Sequence, residues 1–383
     1  IGWDDETRTS RRQIWTQGQG RDNRHWIPSF DHPSDKLTTE MIVEFDADYF
    51  VLSNGVKLDE KEIGGGNKRW HYKMEHHHLN YLIMLTIGKY KPDLTKVGTL
   101  DFVNYYYPDL EDRNEYTYAY SKEIMEILQK ETGVDYPWGK TYSQIPVQDF
   151  LYGAMENTTA TIFGDFFVVD ERSFSDRNYV NVNAHELAHQ WFGDFISMRN
   201  WRDIWLHESF ATHYAKLCEK EIFGEEYYQW AKYREMQRAL EASSESIKPI
   251  AHSSAGTARI YPKGSFVLDM LKDVIGREDY NCAVKYYLEK YAYQNVTTED
   301  FMLAFHEALG YDLTWFFNQW ILHGGEPEYQ VRHELREGNL LKLTVEQIQN
   351  THGGRVGVFK MPVDIEVGLK SGKKFNTTVM NDE

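Results

Sequence analysis

The feature that most restricts how this chain can fold is the stretch from His185 to Glu208, HELAHQWFGDFISMRNWRDIWLHE. Its first five residues place two histidines four positions apart, one helical turn above the other on the same face, so both imidazoles can reach one metal ion. Eighteen residues separate His189 from Glu208. That is room for the first helix to end at Gly193, a loop to turn, and a second helix to bring a carboxylate alongside. The chain therefore has to pack two consecutive helices around a polar centre.

Three protein ligands with an open fourth position match the ligand count of a catalytic zinc site, whereas structural zinc is normally closed by four ligands rich in cysteine. The spacing expects one zinc ion per chain on His185, His189 and Glu208. Glu186 stands about 100° round the helix from His185, where it can address a water at the metal without ligating it, and it is the natural general base. Cys218 and Cys282 are the only cysteines. Both lie in apolar helical patterns and read as buried free thiols, so no disulfide framework is expected.

The 383 residues suggest two or three domains, and 41% hydrophobic content is ample for a folded core. With 59 acidic against 42 basic residues the net charge is -17, which argues against nucleic acid or an anionic membrane as partner. No run of eighteen apolar residues occurs, so no membrane span is expected, and the opening IGWDDETRTS is unlike a secretory signal. Compartment and oligomeric state are not legible.

Residues 1–88 read as an antiparallel β region, with turn signals at Ser53-Asn54-Gly55 and Gly64-Gly65-Gly66-Asn67. His76-His77-His78 falls on one of these strands. Neighbouring side chains on a strand alternate faces and cannot converge on one ion, so the run reads as exposed strand. Residues 89–325 form the next unit. Helical spacing of Tyr116, Tyr120, Ile124, Ile127 and Leu128 predicts a helix over 112–130 ending at Gly133, and 142–171 reads as strand, special segment, strand. Helices are expected over 205–223, 226–242, 264–275, 279–291, 298–309 and 312–322. Residues 326–383 revert to alternation in EYQVRHEL, LLKLTVEQIQ and MPVDIEVGLK, short strands of a β-sandwich.

Gly153-Ala154-Met155-Glu156-Asn157, then His185 to Gly193, then Trp205-Leu206-His207-Glu208, occur in an order that resembles the gluzincin aminopeptidases, the group of aminopeptidase N and leukotriene hydrolase. The likeness runs from about Gln17 to Gly325 and includes Asp135-Tyr136-Pro137-Trp138-Gly139-Lys140. It implies an α+β multidomain fold: a β-rich amino-terminal domain, here incomplete, a thermolysin-like catalytic domain, and the start of a β-sandwich. The large carboxy-terminal helical domain of such relatives has no counterpart in these residues.

Carried over residue by residue, the resemblance implies that Glu156 binds the free amino group of a peptide, with Gly153, Ala154 and Met155 beside the substrate and Gln19 assisting. Tyr261, in Ile260-Tyr261-Pro262-Lys263-Gly264, would stabilise the oxyanion. A carboxylate one residue's length from the metal selects substrates with an α-ammonium, so exopeptidase action on peptides is implied. Departures from the family pattern are His207 and Ser209 flanking Glu208, Asp194, and Gly256, which leaves the first specificity pocket open. Alternatives are a thermolysin-like endopeptidase, an epoxide hydrolase, for which the basic residues that grip a lipid carboxylate are missing, and a catalytically silent peptide-binding scaffold.

Overall fold

The computed structural model describes residues 10–338, 340–350 and 356–381. The first nine residues, read above as unlike a secretory leader, lie outside the described residues. The chain opens with two three-stranded antiparallel sheets. One has the order β2-β5-β4, from β2 (Lys36–Asp46), β4 (Val56–Gly64) and β5 (Asn67–Leu79). The other has the order β1-β6-β3, from β1 (Ile14–Trp15), β3 (Phe50–Ser53) and β6 (Leu85–Gly88). Alternation along β2 follows from its sequence: Met41, Val43 and Phe45 turn to the core that holds Val51, Trp70 and Leu82.

A five-stranded mixed sheet follows, ordered β10-β11-β9-β8-β7. Its strands are β7 (Lys91–Val97), β8 (Leu100–Tyr106), β9 (Thr141–Val147), β10 (Ala154–Met155) and β11 (Ala160–Gly164). Central β9 runs parallel to both neighbours, β8 and β11, and is buried almost throughout, as a strand covered on both faces must be. Between β8 and β9 lie a single turn, α1 (Asn114–Thr117), and α2 (Ser121–Thr132).

The single helix expected over 112–130 is thus broken. Tyr120 takes a left-handed φ of 64°, and the turn it makes sends Tyr118 inward against Phe163, its hydroxyl bonded to the Tyr105 carbonyl. Spacing alone does not reveal a left-handed tyrosine. The end of α2 at Gly133, φ 67°, is as expected.

The rest is mainly helical: α3 (Glu171–Asp176), α4 (Val180–Ala188), α5 (Trp205–Phe223), α6 (Glu225–Glu245), α7 (Gly264–Ile275), α8 (Arg277–Lys290), α9 (Thr298–Leu309) and α10 (Thr314–Trp320). The bounds of α5, α7 and α9 are those the periodicity predicts, because glycine caps or a capping box mark their ends. α4 stops at Ala188, short of the expected Gly193, because the chain tightens into turns from His189. α5 is the hub of the apolar core: Trp205, Phe210, Tyr214 and Cys218 are all buried along it.

A small parallel pair, β12 (Ser197–Met198) and β13 (Asn295–Val296), ties the loop before α5 to the loop before α9. Two antiparallel hairpins follow: β14 (Tyr329–Arg336) with β15 (Leu340–Gln347), and β16 (Met361–Gly368) with β17 (Lys374–Asn381).

Two further expectations are corrected. Cys218 is buried, but Cys282 is exposed, on the solvent side of α8. His76 and His77 are exposed, whereas His78 is fully buried, where β2 and β5 slip register between Leu37 and Thr39. The His78 ring nitrogens face Thr39 Oγ1 at 3.1 Å and Thr158 Oγ1 at 3.3 Å, and burial lowers its pKa to about 3. It is a neutral brace under the segment that follows Glu156. Among the described residues no helix is long and apolar enough to cross a membrane.

Candidate active site

α4 and α5 pack side by side and form one wall of a cleft of about 590 Å³. His185 and His189, one turn apart on α4 and its cap, bring their Nε2 atoms within 3.0 Å of each other. Glu208, in the first turn of α5, holds its Oε2 3.4 Å from both. Tetrahedral nitrogen and oxygen ligands 2.0–2.1 Å from a zinc ion stand about 3.3 Å apart, so this triangle has the size such an ion requires.

The donor set fits a cation for two more reasons. His189 Nδ1 lies 2.9 Å from the Phe192 carbonyl, which fixes a proton on Nδ1 and leaves Nε2 as the atom that can ligate a cation. Glu208 Oε2 is buried without a hydrogen-bond partner. Two imidazole nitrogens and an orphaned carboxylate oxygen converging on one point favour positive charge there.

Glu186 is buried, and its Oε2 also lacks a partner. Burial raises its pKa well above the usual carboxylate range; His189 offsets part of this, and Glu156 and Glu208 reinforce it. Tyr261 sits in a wide helical turn, Arg259–Lys263, immediately before α7, with its ring stacked on His185 at 5.6 Å. Burial, with Glu208 and Glu156 nearby, pushes its pKa far above 10, so the hydroxyl keeps its proton and remains a donor. Ser209 is the support beneath it: its Oγ donates to the Ile260 carbonyl at 2.6 Å, and a Cβ on Gly264 would stand 1.8 Å from that oxygen. Only glycine lets α7 start so close.

The facing wall is β10 and the turn after it. Gly153, Ala154, Glu156 and Gln19 line the cleft; Met155 turns its side chain away into the core of the amino-terminal sheets, where Gln17 Nε2 approaches its Sδ at 3.3 Å. Among the described residues β10 pairs only with β11, and Gly153 and Ala154 at its start line the cleft. Glu156, His189 and Glu186 each offer a ligand-type atom within 4.8 Å of one another, so the facing carboxylate is within reach of the metal triad. Burial raises the Glu156 pKa, His189 offsets part of this, and Glu208 adds to it.

Contacts that the sequence does not reveal hold this wall. Asn54 Nδ2 donates to the carbonyls of Leu82 and Thr158 at 2.9 and 2.8 Å, and its Oδ1 accepts from Met84 N at 2.7 Å. Gly55 N donates to Thr159 Oγ1 at 2.7 Å. Gln190 spans both walls: Thr159 N donates to its Oε1 at 2.9 Å, and its Nε2 donates to the Glu156 carbonyl at 3.2 Å and to Asp194 Oδ2 at 3.0 Å. The Asn-Gly turn signal at 54–55 marked a turn, and nothing in it pointed to the cleft.

Beyond the triad the cleft continues along Thr212, Lys216 and Glu219 of α5, facing Arg234, Glu235 and Arg238 of α6.

Comparison with known proteins gives a consistent outcome. Residues 116–320 match the model of the peptidase family M1 domain, and residues 3–82 match that of the peptidase M1 N-terminal domain. "Probable aminopeptidase 2" of Sulfurisphaera tokodaii is 28% identical over 368 residues, covering 92% of this chain and 46% of that protein. "Tricorn protease-interacting factor F2" of Thermoplasma acidophilum is 28% identical over 379 residues, covering 94% of this chain and 46% of that protein. "Aminopeptidase M1" of Arabidopsis thaliana is 28% identical over 364 residues, covering 89% of this chain and 40% of that protein. The chain thus spans about half the length of the curated relatives it matches.

Proposed function

Because the chain belongs to peptidase family M1, we propose that it is the catalytic part of a zinc-dependent aminopeptidase that removes amino-terminal residues from peptides. The observation that carries this reading is the buried Glu156 carboxylate facing the triad from the opposite wall, within 4.8 Å of His189 and Glu186 atoms. An α-ammonium and the carbonyl carbon of the same residue are two bonds, about 2.5 Å, apart, so a single residue bridges from Glu156 to the triad. A substrate whose amino group pairs with Glu156 therefore presents its first peptide bond to the triad.

His185, His189 and Glu208 would hold one zinc ion per chain. When bound, zinc supplies Lewis acidity, which polarises a carbonyl and makes water acidic enough to lose a proton near neutral pH. Glu186 takes that proton on its unpartnered oxygen and passes it to the leaving amine; its raised pKa suits both halves of the task. Tyr261 donates its O–H to the oxygen on which negative charge develops. Gln19 offers a second polar contact near the amine, and the edge of β10 at Gly153 and Ala154 lines up an extended substrate backbone.

The test is hydrolysis of matched free and N-acetylated peptides, with and without a zinc chelator. Release of the first residue from the free peptide alone, abolished by the chelator, is the expected result. Internal cleavage of both makes the protein an endopeptidase, and cleavage of neither by zinc-loaded protein makes it a scaffold.

A further inference from the structure

Glu156 is reached from behind by a line of buried groups that the proposed chemistry does not use. The Met198 backbone N–H donates to His207 Nε2 at 2.7 Å, His207 Nδ1 lies 3.3 Å from the Tyr81 hydroxyl, and that hydroxyl lies 3.1 Å from Glu156 Oε1. His207, Tyr81 and Glu156 are all buried.

The direction of each bond follows from the first. A backbone amide is only a donor, so Nε2 must be an acceptor and the imidazole proton sits on Nδ1. Nδ1–H then donates to the tyrosine oxygen, and the tyrosine proton has Glu156 Oε1 as its one remaining acceptor here. One carboxylate oxygen is thereby held, and the other is left to turn toward the cleft.

We propose that His207 and Tyr81 are positioning residues that fix the orientation of the Glu156 carboxylate, and hence the enzyme's selectivity for a free α-ammonium. This rests on the reading of Glu156 as the amine anchor. The placement of His207 supports it. His207 immediately precedes Glu208 on α5, so successive side chains on one turn face the two walls. Gly193, at φ 132°, leaves the space: a Cβ there would stand 3.1 Å from His189 Nδ1 and 3.4 Å from the His207 ring.

The experiment uses the full-length zinc-loaded protein, with zinc content measured for every variant. The variants are Tyr81→Phe, His207→Leu, His207→Asn and, as reference, Glu156→Gln. The probes are a leucine anilide, its N-acetylated twin, and leucine hydroxamate followed by calorimetric titration. Losing a hydrogen bond to a charged acceptor predicts that Tyr81→Phe and His207→Leu raise KM for the free anilide about tenfold and weaken hydroxamate binding about as much, with kcat within about threefold. His207→Asn, whose amide can donate where Nδ1–H did, should recover most of the loss.

Unchanged KM and hydroxamate affinity in Tyr81→Phe would overturn the proposal, as would loss of zinc or a parallel fall of kcat in both variants, the signs of a merely structural role. Should Tyr81→Phe not fold, the contrast of His207→Leu with His207→Asn decides. If Glu156→Gln keeps full preference for the free over the acetylated anilide, the amine-anchor reading itself falls, and this proposal with it.

Discussion

The two walls of the cleft are held together over very different lengths of chain. The metal wall takes its three candidate ligands from the stretch 185–208, and the partner of His189 Nδ1 is the carbonyl only three residues on, Phe192. The facing wall is a two-residue strand and a turn, and its supports come from far away: Tyr81 is 75 residues from Glu156, Asn54 is 104 from Thr158, and Gln17 is 138 from Met155. Its apolar backing is shared with the amino-terminal sheets, since Val51, Leu82 and Met84 pack with Ile145, Met155 and Ile162. The metal triad and Glu186 are thus set by one local stretch, while Glu156, the proposed amine anchor, is set by tertiary packing. Damage far from the cleft should reach the second before the first.

The largest effect tests the local wall. Glu186→Gln is expected to lower kcat by about 10³-fold while zinc content stays at one per chain, measured by turnover and elemental analysis; normal turnover would remove the proposed base. Next, Tyr261→Phe should lower kcat about 10²-fold or more with little change in KM for the free peptide.

A smaller effect, of a different kind, is expected for Asn54→Ala, which strands the Thr158 carbonyl and the Met84 N–H in the interior and leaves the Leu82 carbonyl only its bond from Asn157 Nδ2. Stability should fall by about 2–4 kcal/mol in urea titration and KM should rise severalfold, with zinc retained. If instead kcat collapsed and KM held, the contrast between the walls would be wrong.

The smallest effect concerns Lys36, at the start of β2. It is half-buried, with its ammonium end donating to the Asp194 and Phe195 carbonyls at 3.0 and 3.2 Å, and desolvation of that end lowers its pKa to about 7, with Asp194 opposing. Between pH 7 and about 10.5 the unfolded chain binds the proton that the folded protein has released, so stability rises with pH across that window and this gain is lost as pH falls through 7. The slope is at most about 1.4 kcal/mol per pH unit. Lys36→Met should flatten it, which denaturation at pH 7 and 9 would reveal.

What the sequence discloses follows the same division. His185, Glu186, His189 and Glu208 are legible because a helix turns fixed spacing into proximity, and α5, α7 and α9 because periodicity and end signals agree. Glu156 and Tyr261 are singled out only through resemblance, since no local rule brings a β10 residue or a turn 53 positions after Glu208 to the metal wall. The left-handed turn at Tyr120, the buried His78 and the exposed Cys282 escape for a shared reason. Each depends on a register slip, a turn or a helix rotation decided by packing, which composition and spacing do not record. Asn54, Tyr81 and Gln190 carry no signature at all, because their importance lies in partners tens of residues distant.

Gln190 has a consequence of its own. Its amide is a strut of fixed length between the helix that carries the histidines and the backbone of Glu156. On the proposed reading of Glu156 as the amine anchor, this strut acts as a gauge set to the span from an α-nitrogen to the carbonyl beside it. A peptide that begins with a β-amino acid carries one extra carbon in that span. It overshoots the gauge by more than an ångström, and misplacement on that scale costs about 10²-fold in rate. Such peptides should persist as poor substrates whatever their side chains, because the gauge reads the backbone.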